Sequence, residues 1–288
     1  MDLSGKVVLI TGGGGGIGRE VALLASKKGA RLLLCGRRQA VLDEAKSLMP
    51  AEAQVAVVQA DVTTKEGRAA IKAALQAAYG ELDVLINNAG TLTMAPLESF
   101  DDEALEHTLD VNLLAPMALT RDLLPLLEKS TQKSTGKKKA GKNKADARVV
   151  NIGSMFGDLG FPLVAPYAAS KFGLRGFSDA LRRELAPRGI GVTYVAPRAT
   201  QTGMTASYEA LVEPTAMTVD PSEKIGAMIV SAIERDARSA YVNGIERIGV
   251  AVQRIFPALM DKIVQGQMDD DGVRAYIRSF KGEGKSPE

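Results

Sequence analysis

The sequence predicts an α/β fold, one doubly wound parallel sheet with helices on both faces, and three observations predict it. Short apolar runs recur along the chain, the pattern of strands buried on both sides. Stretches of helical period separate them, so strand and helix alternate throughout. A run of glycines, Gly12 to Gly16, follows the first apolar run directly. The 288 residues are enough to bury a full core, and the repeating pattern argues for a single domain over 1–288.

The predicted strands are Val7–Ile10, Arg31–Cys35, Gln54–Gln59, Val84–Ile86, Arg148–Ile152, Gly191–Val195 and, with the weakest pattern, Ala240–Val242. The first is a continuous Val-Val-Leu-Ile, too apolar throughout for a strand with one wet face. The helices fall between them at 17–28, 38–49, 65–79, 101–128, 167–187 and 221–235. Such alternation implies right-handed crossovers and a ligand crevice at the C-terminal ends of the strands. Residues 129–147 interrupt it with seven lysines and one aspartate. This low-complexity insertion can bury nothing; it is a solvated loop or an electrostatic tether to an anionic partner.

Bulk composition excludes several classes. One histidine, His107, is too few for a Ser-His-Asp triad beside other roles or for a multi-histidine metal site, so no metal is expected. His107 lies in a polar helical stretch and reads as a surface residue. The single cysteine, Cys35, forbids an intramolecular disulfide and, with no secretory signal in view, points to a reducing, cytoplasmic setting. No apolar stretch is long enough to cross a bilayer. The net charge of +2 becomes −4 once the +6 of the insertion is subtracted, so nucleic-acid binding gains no support.

Glycines directly after a buried strand let the backbone approach a ligand closely, and the following helix aims free N–H groups at that loop. A dinucleotide pyrophosphate is the usual guest of this Rossmann-like arrangement; a flexible turn without ligand is the alternative. Ser154, Tyr167 and Lys171 are the second cluster. Tyr167 and Lys171 are four apart on one helix face, where an ammonium favours the phenolate and lowers the tyrosine pKa. That suits Tyr167 to exchange a proton with a carbonyl or alcohol, and Ser154, just past a strand, can hold the substrate oxygen.

Together these residues resemble the short-chain dehydrogenase/reductase superfamily over about residues 3–202. Thr11-Gly12, Gly16 and Gly18 match its cofactor loop, and Asn87-Asn88-Ala89-Gly90 the segment closing the fourth strand against the cofactor. Asn112, Ser154, Tyr167 and Lys171 match the catalytic tetrad. The resemblance implies hydride transfer between a nicotinamide and a carbonyl or secondary alcohol. Tyr167 would be the general acid/base, Ser154 would steady the oxygen, and Lys171 would tune Tyr167 and bond the nicotinamide ribose. Asn112 would hold a relay water. It implies cofactor contacts from Thr11, Gly12, Gly14, Gly15, Gly16, Ile17, Gly18, Asp61, Val62, Asn88, Gly90, Pro197, Thr200 and Thr202, besides Tyr167 and Lys171. A homodimer or homotetramer is expected.

The second strand ends Leu34-Cys35-Gly36-Arg37-Arg38, with no carboxylate for a ribose 2′-OH. Two guanidinium groups suit a 2′-phosphate, so NADP(H) is expected with Arg37 the main contact and Arg38 beside it; solvated helix-start arginines are the alternative. One departure is Arg198, where relatives commonly carry glycine. It points to solvent, to an acidic substrate group or to cofactor phosphates. Residues 203–220, with Met204, Tyr208, Leu211 and Met217, read as a substrate lid or as an anchored loop. The segment 245–265 is amphipathic and interrupted at Pro257; it packs on the protein or a sister subunit, or lies on a lipid surface as a peripheral contact. After Met268 the chain turns polar and is expected to be loose. The leading expectation is an NADPH-dependent ketone, lipid or acyl carbonyl reductase acting on a small-molecule substrate. The alternative is a catalytically idle NADP-binding regulator or scaffold.

Overall fold

A computed structural model describes residues 1–134, 145–242 and 245–281. The middle of the lysine-rich insertion, 135–144, lies outside the described residues. In chain order the elements are β1 (Val7–Thr11), α1 (Gly16–Lys27), β2 (Arg31–Gly36), α2 (Gln39–Ser47), β3 (Val55–Gln59), α3 (Lys65–Ala78) and β4 (Val84–Asn87). Then follow α4 (Asp102–Leu109), α5 (Ala115–Ser134), β5 (Ala147–Ile152), α6 (Ala165–Leu185), β6 (Ile190–Ala196), α7 (Glu209–Val212), α8 (Ser222–Glu234) and β7 (Ser239–Tyr241). The chain closes with α9 (Ile245–Ile255), α10 (Pro257–Met268) and α11 (Asp271–Lys281).

All strand pairs are parallel, in the order β3-β2-β1-β4-β5-β6-β7. Because side chains alternate across a strand, the apolar runs serve two cores at once. Val8, Ile10, Leu32 and Leu34 pack with Val21, Ala22, Ile225 and Ile229 of α1 and α8. Val7, Leu9, Leu33 and Cys35 pack with Ile71, Leu75, Leu119 and Leu123 of α3 and α5. The order reverses between β1 and β4, which opens a crevice at their C-terminal ends.

Three stretches differ from the expectation. The helix α5 runs on to Ser134 with Ser130 buried, so the start of the lysine-rich insertion is packed helix rather than solvated loop. The helix predicted over 101–128 is broken: a single π-helical turn, Asp110–Leu114, separates α4 from α5. Such turns insert a residue into the helical ladder and are frequent at functional sites; Asn112 sits in this one, fully buried. Of the tail after Met268, Asp271–Lys281 is a helix rather than a loose end, and residues 282–288 lie outside the described residues. Val273, Tyr276, Ile277 and Phe280 recur at helical spacing, and Val273 is fully buried. The pattern was present, but its polar neighbours masked it. The pair α9 and α10, divided at Phe256–Pro257, exposes Ile248, Ile255, Phe256, Leu259 and Ile263.

Candidate active-site cleft

A cleft of about 560 Å³ runs along the C-terminal edge of the sheet across the β1/β4 reversal. One end is backbone. Gly12 and Gly16 both have positive φ, +64° and +50°, as the turn from β1 into α1 demands. A Cβ on Gly18 would stand 2.3 Å from the Gly12 carbonyl oxygen, so α1 can lie this close to β1 only through glycine. Gly15 precedes α1 without a side-chain cap, and a Cβ there would meet nothing within 4 Å. The first amides of α1 are therefore presented to the cleft, as an anion requires.

Side chains brace this turn. Thr11 Oγ1 accepts from the Asn88 and Ala89 amides at 3.0 Å each. Asn88 Nδ2 donates back to the Thr11 and Gly12 carbonyls at 2.9 and 3.2 Å. Thr11, Gly18 and Asn112 lie behind the cleft wall, whereas Gly12, Gly14, Gly15, Gly16, Ile17, Arg37, Arg38, Asp61, Val62, Asn88, Gly90, Pro197, Thr200 and Thr202 line it. Arg37 and Arg38 are exposed at its rim. Asp61 carries a carboxyl held below its usual range; its bonds to Thr63 and the charges of Arg37 and His107 outweigh burial. His107 is exposed, as its polar surroundings imply, yet it too lines the cleft.

The other end holds Ser154, Tyr167 and Lys171, all buried and all lining the cleft. Ser154 leaves β5 and caps a short 3₁₀ turn, Met155–Gly157, by accepting from the Phe156 amide at 3.1 Å. Its hydroxyl also stands near enough to the Tyr167 phenol to favour the phenolate. Lys171 Nζ donates to the Ile152 carbonyl at 3.1 Å and stands 5.5 Å from the centre of the Tyr167 ring. Among the protein's own groups, burial dominates both pKa values, against the expectation that Lys171 lowers that of Tyr167. Burial pushes the phenol up to about 12, with the nearby Ser154 hydroxyl pulling part of the way back. Burial also pushes the Lys171 ammonium down to about 8. Tyr167 thus keeps its proton at neutral pH, the state a general acid needs.

Asn112 takes a supporting place. Its Nδ2 donates to the Thr91 carbonyl at 2.9 Å and its Oδ1 accepts from the Thr91 amide at 3.0 Å. The side chain is therefore spent on holding the strand-end loop. A Cβ on Gly90 would fall 3.0 Å from Asn112 Oδ1 and 3.7 Å from Lys171 Nζ, so Gly90 lets these groups converge.

Arg198 is held by the protein itself: Nε and Nη2 reach Asp220 Oδ2 and Oδ1 at 2.6 and 3.0 Å. Asp220 also pairs with Lys224 at 2.8 Å. The backbone of 199–201 pairs with Asp220 as well, so this clasp closes the base of residues 203–219. Within that segment Tyr208 and Leu211 are buried. They join Met94, Val164, Tyr167 and Val273, with Leu92, Phe156, Met204 and Met217 around them, in an apolar cluster over the catalytic end. The Tyr276 hydroxyl donates to the Met94 carbonyl at 2.6 Å and ties α11 to it.

Residues 6–212 match the model of the family described as short chain dehydrogenase. A ketoacyl reductase, HetN, of Nostoc sp. (strain PCC 7120) is 29% identical over 290 residues, covering 97% of this chain and 96% of its own. Two solved structures have similar folds. A short chain dehydrogenase of Burkholderia cenocepacia J2315 in complex with NADP has a TM-score of 0.75 at 21% identity, covering 92% of this chain and 99% of its own. A 3-ketoacyl-(acyl-carrier-protein) reductase of Brucella melitensis complexed with NADH has a TM-score of 0.74 at 25% identity, covering 84% and 98%.

Proposed function

The chain belongs to the short chain dehydrogenase family of oxidoreductases, and on that premise we propose that it is an NADP(H)-dependent reductase of ketone or acyl carbonyls on lipid-like substrates. The observation that carries the reaction type is the buried trio of Ser154, Tyr167 and Lys171 set in the wall of a cleft whose other end is a glycine turn.

The residues present fit a nicotinamide dinucleotide. Gly12 and the 14–17 stretch would offer amides to its pyrophosphate, Asp61 and Val62 would face its adenine, and Lys171 and Thr202 would stand at its nicotinamide. When bound, such a cofactor supplies or accepts hydride. Tyr167 gives its phenolic proton to the substrate oxygen as the carbonyl becomes an alcohol, and takes it back in the reverse direction. Ser154 Oγ holds that oxygen, and the Lys171 ammonium steadies the phenolate left behind.

Arg37 and Arg38 at the rim, with no carboxylate at the end of β2, support NADP(H); relatives with bound NADP and with bound NADH both exist. The apolar cluster around Met94, Phe156, Met204, Tyr208 and Met217 supports a lipid-like or acyl substrate, in keeping with the ketoacyl reductases among the relatives. A catalytically idle binder would have no need of Ser154, Tyr167 and Lys171 buried together in the cleft wall.

The test is NADPH oxidation against sugars, β-ketoacyl thioesters, steroids and aromatic ketones. Thioester turnover with NADPH preferred over NADH is expected. Tyr167→Phe should lower kcat by ~10²–10⁴ while the NADPH Kd stays within about twofold. Turnover by Tyr167→Phe close to that of the parent would overturn the role of the phenol.

A further inference from the structure

Ser154 sits on a loop, yet a group that steadies a reacting oxygen has to be held to within about half an ångström. The loop is pinned to the end of β6 by the Gly153 amide on the Val195 carbonyl at 2.7 Å and the Met155 amide on the Pro197 carbonyl at 2.9 Å, and Ser154, between these two bonds, is supported from behind. Tyr194 of β6 is almost fully buried, and its hydroxyl touches both backbone groups of Ser154. It donates to the Ser154 carbonyl at 3.2 Å and accepts from the Ser154 amide at 3.4 Å. The loop is moulded on this ring. A Cβ on Gly153 would lie 2.2 Å from it, and one on Gly157 would lie 2.4 Å from its hydroxyl oxygen. Those two glycines bracket Ser154 because Tyr194 fills the space that side chains would need.

Tyr194 is itself fixed. The Arg175 guanidinium lies 5.6 Å from the centre of the Tyr194 ring and 5.9 Å from that of Tyr241. Arg175 pairs with Asp158, whose side chain is wholly buried at the far end of the same loop. The Tyr241 hydroxyl bonds both Arg175 and, at 3.1 Å, Asp158. Arg175 is one turn beyond Lys171 and two beyond Tyr167 on α6. A single connected set therefore ties β6, β7 and the helix carrying the acid/base pair to both ends of the Ser154 loop.

We infer that Tyr194, held by Arg175, Asp158 and Tyr241, is a positioning residue that sets Ser154 against the Tyr167 phenol. It acts through Ser154 and touches no reacting atom. The inference rests on the carbonyl-reductase reading for its kinetic consequence but not for its structural one.

Tyr194→Phe is the informative variant, since it keeps the ring that the glycines enclose and deletes only the hydroxyl. Hydrogen exchange followed by mass spectrometry should show peptides spanning 153–158 exchanging about tenfold faster, with the rest of the sheet unchanged. On the substrate found for the parent enzyme, kcat should fall about tenfold, with KM and the NADPH Kd within about twofold. In a Ser154→Ala background the same substitution should cost less than about twofold, because its effect passes through Ser154. Unchanged exchange in 153–158, or an equal kcat loss in both backgrounds, overturns the inference. If the parent reduces no carbonyl at all, the functional reading fails, and the exchange measurement still decides whether Tyr194 holds the loop.

Discussion

The glycine-turn half of the cleft and the half beneath α11 are built by opposite means. In the first, the geometry is carried by backbone: positive φ at Gly12 and Gly16, a helix start without a side-chain cap, and Gly18 pressed on the Gly12 carbonyl. These features depend on neighbours a few residues away, so they are written as local spacing. In the second, Met94, Tyr208, Leu211 and Val273 meet only because distant segments fold back together. The bond from Tyr276 to Met94 spans 182 positions. Nothing local announces it. The contrast predicts that substitutions in the first half disturb cofactor binding abruptly, whereas those in the second grade the substrate.

The sharpest way to break the first half is Gly18→Ala. The new methyl would lie 2.3 Å from the Gly12 carbonyl and 2.6 Å from Asn88 Nδ2, neither of which can give way cheaply. NADPH affinity should drop by more than ~100-fold and Tm by several degrees, read by titration calorimetry and thermal melts. An affinity within a few-fold of the parent would show the turn to be pliable. Truncation after Asp270 tests the second half, removing Val273 and Tyr276 from the apolar wall. It should raise KM for an acyl substrate by about tenfold to a hundredfold and leave the NADPH Kd within about twofold. Equal losses in both constants would erase the distinction between the halves.

The same contrast governs what could be read in advance. The seven parallel strands, the glycine turn and the residues lining the glycine-turn end of the cleft follow from apolar runs and from positions next to strand ends. The π turn at Asp110–Leu114 did not, because one residue inserted into a helix leaves the apolar period nearly intact. Tyr194 was hidden for a different reason. Inside an apolar strand a tyrosine reads as core, and only the fold shows its hydroxyl against Ser154. Arg198 was visible as an oddity but not as a clasp, since its partner Asp220 comes 22 positions later.

At the seam between the halves, the proposed acid/base pair gives a pH prediction. Burial pushes the Lys171 ammonium down to about 8, so its charge is present below that pH and lost above it. Losing the charge removes support for the phenolate that forms as Tyr167 gives up its proton. Reductive kcat should therefore be level below about pH 7 and fall to about a tenth by pH 9, one unit above the Lys171 value. An initial-rate profile with NADPH and a good carbonyl substrate checks this. A plateau running through pH 10 would mean that the ammonium persists there, against the burial argument.

The smallest expected effect belongs to Arg37, because it sharpens the first half at its wettest point. Arg37 and Arg38 are both exposed, so solvent and salt screen whatever each does for a phosphate. Arg37 nevertheless has a second mark: its charge is felt by the cleft-lining Asp61, and its carbonyl accepts from Gln59 Nε2 at 2.9 Å, anchoring its backbone beside β3. An arginine with a fixed backbone loses less freedom on gripping a ligand than one on a free turn. Arg37→Ala should therefore weaken NADPH about five- to tenfold while leaving NADH unchanged, and Arg38→Ala should cost less. Raising salt should shrink the Arg37 effect. A loss shared equally by NADPH and NADH would place Arg37 on the common pyrophosphate instead, and the β2 terminus would then no longer speak for a 2′-phosphate.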